Sequence, residues 1–428
     1  MTMKLQLNSE KLLVSVTIFF LWLASPVLTI PVIIALIYIL PSKHINLTFA
    51  MLLMAMTFGL LASTTQSIGT DETDVMRYYW AFGQLVQSDS IESFLFSYIA
   101  DRGEINVIFQ IVNLILAKTF PEHARILPFF WTSLTYFFVF LSVKVLTKTE
   151  EGYERKNLAY CCAAAGLGFV FFFETTEIIK QTAAFSIMGY GICLQLRSRK
   201  GAIPLAIVAI LIHFSTLMLL PVLFVSGRKY LSNTILIAML IVGGIMAFLN
   251  INQILSLIIG VVASGSTLAQ RADLYTDYDG WDPGSRFYLI LAFYVFLVLL
   301  QAIIFLMERK RNKQYFVDLD KIMYVNITAL CLLLANRGNV HNFIRYTLTF
   351  FPFYLFLFYA YLKLRIQYTV RVFICVLIPV FFTFFNLSLT YSLTLAQKDY
   401  ANSYMDNSVS RIVFSNIYDY LIYDVKYE

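Results

Sequence analysis

Between two long apolar runs, the segment Gly69-Thr70-Asp71-Glu72-Thr73-Asp74-Val75-Met76-Arg77-Tyr78-Tyr79-Trp80 carries the densest mixture of charge and aromatic rings in the chain. It continues through Asp89, Glu92 and Asp101 to Arg102-Gly103-Glu104, so one stretch holds seven carboxylates against two arginines. Asp71 and Asp74 are three residues apart, and Asp74 and Tyr78 four apart, spacings that share one face of a helix. Carboxylates placed this way suit general-base work on a hydroxyl. They equally suit a solvated loop in which Asp71 opens a helix. Further cations and histidines stand at the ends of later apolar runs: Lys180, His213, Arg271, Arg286, Arg337, His341 and Arg345. A charge there is costly unless paired or used, although a span-end arginine can also be a snorkelling anchor. Basic groups converging near a bilayer surface fit phosphate or pyrophosphate, which guanidinium binds bidentately. Tyr and Trp beside them fit sugar rings, with their apolar C–H faces and hydroxyl edges.

Positioning such residues falls to apolar helices. Of 428 residues, 59% are hydrophobic and 14% charged, against about a quarter charged in an average soluble chain. Lipid must therefore be part of the solvent. The apolar runs are continuous and about 17 to 25 residues long, as helices crossing some 30 Å of hydrocarbon require, and they lack the alternation of a barrel strand. These features define an all-α polytopic integral membrane protein, a single membrane domain over residues 1–428, with about 11–13 transmembrane helices plus re-entrant or interfacial segments. The net charge of +6 sits mostly in short basic loops, which sets orientation and gives no sign of nucleic-acid binding. Cys161, Cys162, Cys193, Cys331 and Cys375 lie in apolar runs without CxxC spacing, so they read as packing residues. No Gly-rich phosphate loop and no adjacent aspartate pair occurs, so neither a nucleotide donor, a cofactor nor an obligatory metal is expected.

Basic clusters serve as the compass for topology. Leu12 to Leu40 is too long for a signal-peptide core and is expected to be a retained anchor; with Pro26 and Pro31 inside, it is either one kinked span or two short ones. The run Ile105 to Phe120 is short and carries Gln110 and Asn113, which predicts a re-entrant or interface-lying segment. Ala202 to Val225 is flanked by Arg197, Arg199 and Lys200 on one side and Arg228 and Lys229 on the other, so it must cross an even number of times. The parity predicts a tight hairpin of two short helices or a deep re-entrant pair, with His213-Phe214-Ser215 at its apex, against a single helix with a buried histidine. Counted through, every basic cluster falls on one face, and segments 67–125, 174–181, 250–286 and 336–345 and the tail 392–428 fall on the other. An interface-lying helix is expected around Ser410 to Tyr423.

With these pieces in order, the chain resembles the bacterial exopolysaccharide polymerases of the EpsG type, relatives of the Wzy O-antigen polymerases. The resemblance rests on Gly69-Thr70-Asp71 with a Tyr soon after; Gly103-Glu104-Ile105-Asn106-Val107-Ile108-Phe109 followed by Asn113-Leu114; Ile179-Lys180-Gln181-Thr182-Ala183-Ala184; Leu211-Ile212-His213-Phe214-Ser215 leading to Leu220-Pro221; and Arg345-Tyr346. The family usually has Arg-Gln where this chain has Lys180-Gln181, which keeps the charge and loses the bidentate fork. It often has Glu-Pro where Glu104-Ile105 stands here.

The resemblance implies a glycosyltransferase of the bacterial cytoplasmic (inner) membrane that joins undecaprenyl-pyrophosphate-linked oligosaccharide repeat units on the outer, periplasmic-side face. Its partners would be those lipid-linked glycans, membrane lipid, and a chain-length regulator and flippase of the same pathway, with no nucleic acid. Asp71, His213, Glu104 and Asp74 are the candidate catalytic groups, Asp71 favoured as base. Arg77, Tyr78, Lys180, Gln181, Arg286, Arg345 and Tyr346 are the candidates for binding pyrophosphate and glycan. Two alternatives differ in where charge should lie. A flippase or other transporter would split buried charges between both faces, and an O-antigen ligase would concentrate polar residues in one late external loop. This chain gathers them on one face and spreads them over four segments.

Overall fold

The computed structural model describes residues 2–69, 73–88, 106–228, 233–246, 284–311, 317–337, 340–364, 366–395 and 400–423. Helix α1 (Thr2–Ala24) ends at Ser25, whose side chain accepts from the Leu28 amide and opens α2 (Pro26–Ile39) with Pro at its first position. His44 Nδ1 then meets Glu10 Oε2 at 2.5 Å, so residues that follow α2 lie beside the start of α1. The two helices run in opposite directions, and the long N-terminal apolar stretch is two segments with a turn at Ser25.

Helix α3 (Leu47–Ala62) packs closely on α6 (Ile126–Leu146). At Gly59 a Cβ would stand 2.6 Å from the Phe129 carbonyl oxygen, so only glycine permits this approach of two backbones. Between them come β1 (Thr65–Gly69), α4 (Asp74–Gln87) and α5 (Val107–Thr119). At 13 residues α5 is too short to cross, as expected for a re-entrant or interfacial piece, and it rests against α4, α6 and the 202–212 helix. A small hairpin, β2 (Lys148–Thr149) and β3 (Gly152–Tyr153), leads into α7 (Arg155–Ala164), which widens into a π turn at Ala165–Phe169. That irregular backbone is made tolerable in an apolar setting by Asn386, which donates to the carbonyls of Leu167 and Val170 and accepts from the Phe172 amide, all at 3.0 Å. The break releases a short helix, α8 (Phe172–Glu177), followed at once by α9 (Ile179–Leu196).

The predicted hairpin is present. It consists of α10 (Ala202–Ile212), a 3₁₀ turn at Phe214–Leu219 and α11 (Leu220–Ser226), broken at the extended residue His213. A Cβ on Gly201 would lie 3.5 Å from Leu194, and one on Gly227 would lie 2.5 Å from Gln195 Nε2, so both ends return to the same end of α9. With native cysteines replaced, a cysteine at the half-exposed Phe214 should be modified by an impermeant thiol reagent from one side of the membrane and a cysteine at Arg228 only from the other. Labelling of both from one side would overturn the hairpin.

The remaining helices are α12 (Asn233–Met246), α13 (Gly284–Arg311), α14 (Val317–Ala335), α15 (Val340–Thr349), α16 (Phe351–Lys363) and α17 (Tyr368–Leu395). Among the described residues, three helical stretches are long and apolar enough to cross a membrane alone: Ile126–Leu146, Phe287–Met307 and Tyr368–Thr390. The pair α15 and α16, bent by 43° at the break between them, is a broken span or a re-entrant loop. Among the described residues five further apolar helices are 10–17 residues long, including Pro26–Ile39, Leu47–Ala62 and Ala202–Ile212, and the architecture is all-α and polytopic. The α15–α16 bend follows from Pro352, and Tyr354 donates to the freed Thr347 carbonyl at 2.6 Å. Gly189 of α9 fits against that proline; a Cβ there would come within 2.7 Å of it.

The two ends of the bundle differ in charge. At one, Arg155 donates to the Ile39 carbonyl at 2.7 Å, Arg197 to that of Leu146, Lys321 to that of Leu196 at 3.4 Å, and Lys363 pairs with Glu154. These are the basic loops that set the compass, gathered together and capping helix C-termini. At the other end the C-terminal tail folds back: β4 (Tyr400–Tyr404) pairs antiparallel with β1, Thr65 opposite Tyr404 and Gly69 opposite Tyr400. Where a single interfacial helix is expected over Ser410 to Tyr423, two short ones form, α18 (Val409–Phe414) and α19 (Ile417–Ile422), because Asn416 makes a capping box with Asp419 that starts a new helix. Arg125 ties them down through the carbonyls of Leu421 and Tyr423, and Ser25 Oγ donates to the Val413 carbonyl at 2.9 Å.

Candidate functional site

The end opposite the basic loops collects polar residues from distant parts of the chain. Asp74 opens α4, and its carboxylate lies 3.2 Å from Arg77 Nη1 and 3.4 Å from Arg345 Nη2. The first pair joins residues one turn apart. The second spans 271 residues and brings α15 onto α4. Arg345 is 30% exposed at its side chain, so it is partly withdrawn from water while still open to one side. Behind Asp74 stands Glu177, at the end of α8, which accepts from the Asp74 backbone amide at 2.9 Å and from the Asn402 side-chain amide. Thr73 makes no side-chain cap, so a carboxylate from another helix sits on the positive end of α4 in its place.

Glu174, one turn before Glu177, is buried. Burial, then Glu177 and Asp74, push its carboxyl up to about 8 against the opposing pull of Arg345. It therefore carries a proton at neutral pH.

An aromatic shelf adjoins the charged cluster. Phe109 of α5 lies 5.0 Å from Trp131 and 6.0 Å, edge-on, from Tyr78, and Lys180 Nζ sits 5.9 Å from the centre of the Phe109 ring. Trp131 Nε1 donates to Asn113 Oδ1 at 2.8 Å. The polar residues that made α5 an unlikely span thus hold the shelf in place. Asn106 Oδ1 accepts from the Phe214 amide at 3.1 Å, which fixes the apex of the 202–226 hairpin to the same floor.

His213 caps the 3₁₀ turn through Nδ1, 2.6 Å from Ser215 Oγ. Burial, followed by Lys180 and Arg345, brings its pKa down to about 3, so the ring is neutral in the resting protein. As a cation it is unavailable, and its Nδ1 is committed to the turn. Both cations lie within electrostatic reach of the ring.

Of the residues singled out from the sequence, Asp74, Arg77, Tyr78, Lys180, His213 and Arg345 come together here. Gln181 and Tyr346 lie in the packing behind them: Gln181 is buried and donates to Thr349 Oγ1 at 3.4 Å, and Tyr346 stacks on Phe185 with ring centres 6.1 Å apart. Asp71, Glu104 and the side chain of Arg286 lie outside the described residues, as do Arg271 and the side chain of His341. Glu174 and Glu177, in a turn expected to be external, and Asn402, in a tail expected to be external, are all buried in the cluster. Two acids one helical turn apart beside Lys180 were the available signal for the glutamates. For Asn402 there was none.

A separate opening of about 850 Å³ lies at the basic end among Lys11, Ser42, Asn46 and Lys144.

A multi-pass α-helical membrane protein with a charged, aromatic-flanked cluster at one end of its bundle is the class that this fold and site define. Comparison with protein-family models matches the EpsG family over residues 48–405, and the chain belongs to that family. EpsG is a Wzy-type polymerase family, so the coarse function is that of a polysaccharide polymerase at a membrane. No curated protein and no solved structure matches the chain.

Proposed function

We propose that the protein lengthens a glycan by transferring the growing chain from undecaprenyl pyrophosphate to a single lipid-linked repeat unit, on the outer face of the bacterial cytoplasmic membrane. A hydroxyl oxygen of the acceptor's terminal sugar attacks the donor's anomeric carbon. The bond from that carbon to the pyrophosphate oxygen breaks, its electron pair stays with the leaving pyrophosphate, and the hydroxyl proton passes to a carboxylate. The observation that carries this reading is Arg345, held 3.4 Å from Asp74 in a half-open position with Lys180 and Arg77 near it. In the resting protein Asp74 occupies the guanidinium; the oxygens of the pyrophosphate would take its place, and the developing charge would strengthen that contact in the transition state. Lys180 and Arg77 supply further positive charge, and Tyr78 and the exposed Trp80 offer faces to sugar rings. His213 orients the hairpin apex. With Asp74 engaged by two arginines, Asp71 remains the favoured base, with Glu104 the alternative.

The direct test incubates purified protein with synthetic lipid pyrophosphate repeat units, without nucleotide sugar and without added metal. A ladder of products is the expected result. No ladder, or one that requires a nucleotide sugar, would sink the proposal.

A further inference from the structure

The C-terminal tail reaches the centre of the charged cluster. Asn402 lies in β4, wholly buried, and its Nδ2 donates to Glu177 Oε1; the other oxygen of Glu177 accepts from the Asp74 amide, and the Asp74 carboxylate pairs with Arg345. Four residues from four separate elements thus form one chain of contacts from the tail to the cation that the proposed reaction relies on. Asn402 Oδ1 has no hydrogen-bond partner among the described residues. The Asn402 amide is turned with its NH2 toward Glu177. The strand that carries it is itself fixed by five paired positions with β1, the strand that leads into the Asp71 segment.

We propose that Asn402 is a positioning residue of the transfer site, holding Glu177 on the N-terminus of α4 so that Asp74 keeps Arg345 aimed at the pyrophosphate. This inference rests on the functional reading above. Glu177 is buried beside Glu174 and Asp74, and losing the tail's donor removes one of the contacts that hold its carboxylate there. The carboxylate would then leave the α4 N-terminus or take up a proton, and in either case Asp74 and Arg345 lose their reference point.

The experiment uses the full chain in detergent or nanodiscs and two readouts, ladder synthesis and affinity for a short-chain polyprenyl pyrophosphate. Asn402→Asp sets a second carboxylate against Glu177 and is expected to weaken pyrophosphate binding and raise KM by roughly tenfold or more, with a smaller change in kcat. Combining Asn402→Asp with Glu177→Gln reverses the polarity of the contact. The Asp74 amide can still donate to the new amide oxygen, and the new NH2 can donate to the new carboxylate, so the double exchange should return affinity to within about threefold of wild type. Restoration by the exchange is a result that general damage to the fold would not produce. If Asn402→Asp binds pyrophosphate as wild type does, or if the double exchange is no better than Asn402→Asp, the positioning role is overturned while the polymerase reading stands. If wild type itself neither binds the pyrophosphate nor makes a ladder, both fall.

Discussion

Replacing Arg345 with alanine, at normal protein level, is expected to cut formation of long glycan chains by about 100-fold or more, the usual consequence of removing a principal group that stabilises a departing oxyanion. The size of the effect has two sources. The guanidinium is the half-buried cation paired to Asp74, and in the proposed reaction its loss would remove a two-point grip on the pyrophosphate. Among the described residues it also leaves Asp74 paired with the largely exposed Arg77, beside the buried Glu177 and Glu174. Arg345→Lys keeps the charge without the fork and should retain intermediate activity. Glycan length on a gel, from cells or vesicles with matched protein amounts, is the measurement. Long chains made at the wild-type rate by Arg345→Ala would remove the leaving-group role.

The second large effect is a pH dependence centred on Glu174. Its carboxyl is ordinary in the unfolded chain, near 4.5, and is pushed to about 8 in the fold by burial and by Glu177. Between those values the native state holds a proton that the unfolded chain has released, so stability declines as pH rises through the window, by about 1.4 kcal/mol per pH unit at most. Below the window both states are protonated and the dependence vanishes; above it the full penalty applies. The groups that face Glu174 are Glu177 on its own helix, Asp74 from α4, Arg345 from α15 and Tyr404 from β4. Glu174→Gln keeps the shape and the neutral state, and so should make thermal stability nearly independent of pH between about 6.5 and 8, where wild type falls; below that window the depressed His213 pushes stability the other way in both proteins. The variant should also keep its affinity for pyrophosphate above pH 8, where wild type acquires another negative charge beside Arg345. Parallel loss of stability in both proteins would show that Glu174 ionises normally.

The helical class, the placement of charge and the hairpin at His213 could be read from the chain because each follows from one-dimensional constraints. Hydrocarbon thickness sets the length of apolar runs, and basic residues resist translocation, so the flanks of 202–225 required a return to the side they left. The same rules left Leu12 to Leu40 undecided, since Pro26 and Pro31 are compatible with a kink as well as a turn. Contacts far apart in sequence resolved it: Glu10 with His44, and Ser25 with Val413.

For the site, composition and spacing pointed to Asp74, Lys180, His213 and Arg345, because charged groups beside apolar runs are too costly to be idle. They did not separate groups that face the cluster from those packed behind it, such as Gln181 and Tyr346, since exposure depends on which neighbours arrive. Nor could they reveal that Glu177 caps α4, or that Asn402, 225 residues later, meets Glu177. The chain by itself determined the medium, the helical class and the end of the bundle where polar residues must collect, because those depend on solvation summed over whole segments. Which carboxylate keeps a proton, which cation it pairs with, and how the tail completes the cluster were decided by the tertiary structure alone. Such matters turn on burial and on distances of a few ångströms between residues that only the fold makes neighbours.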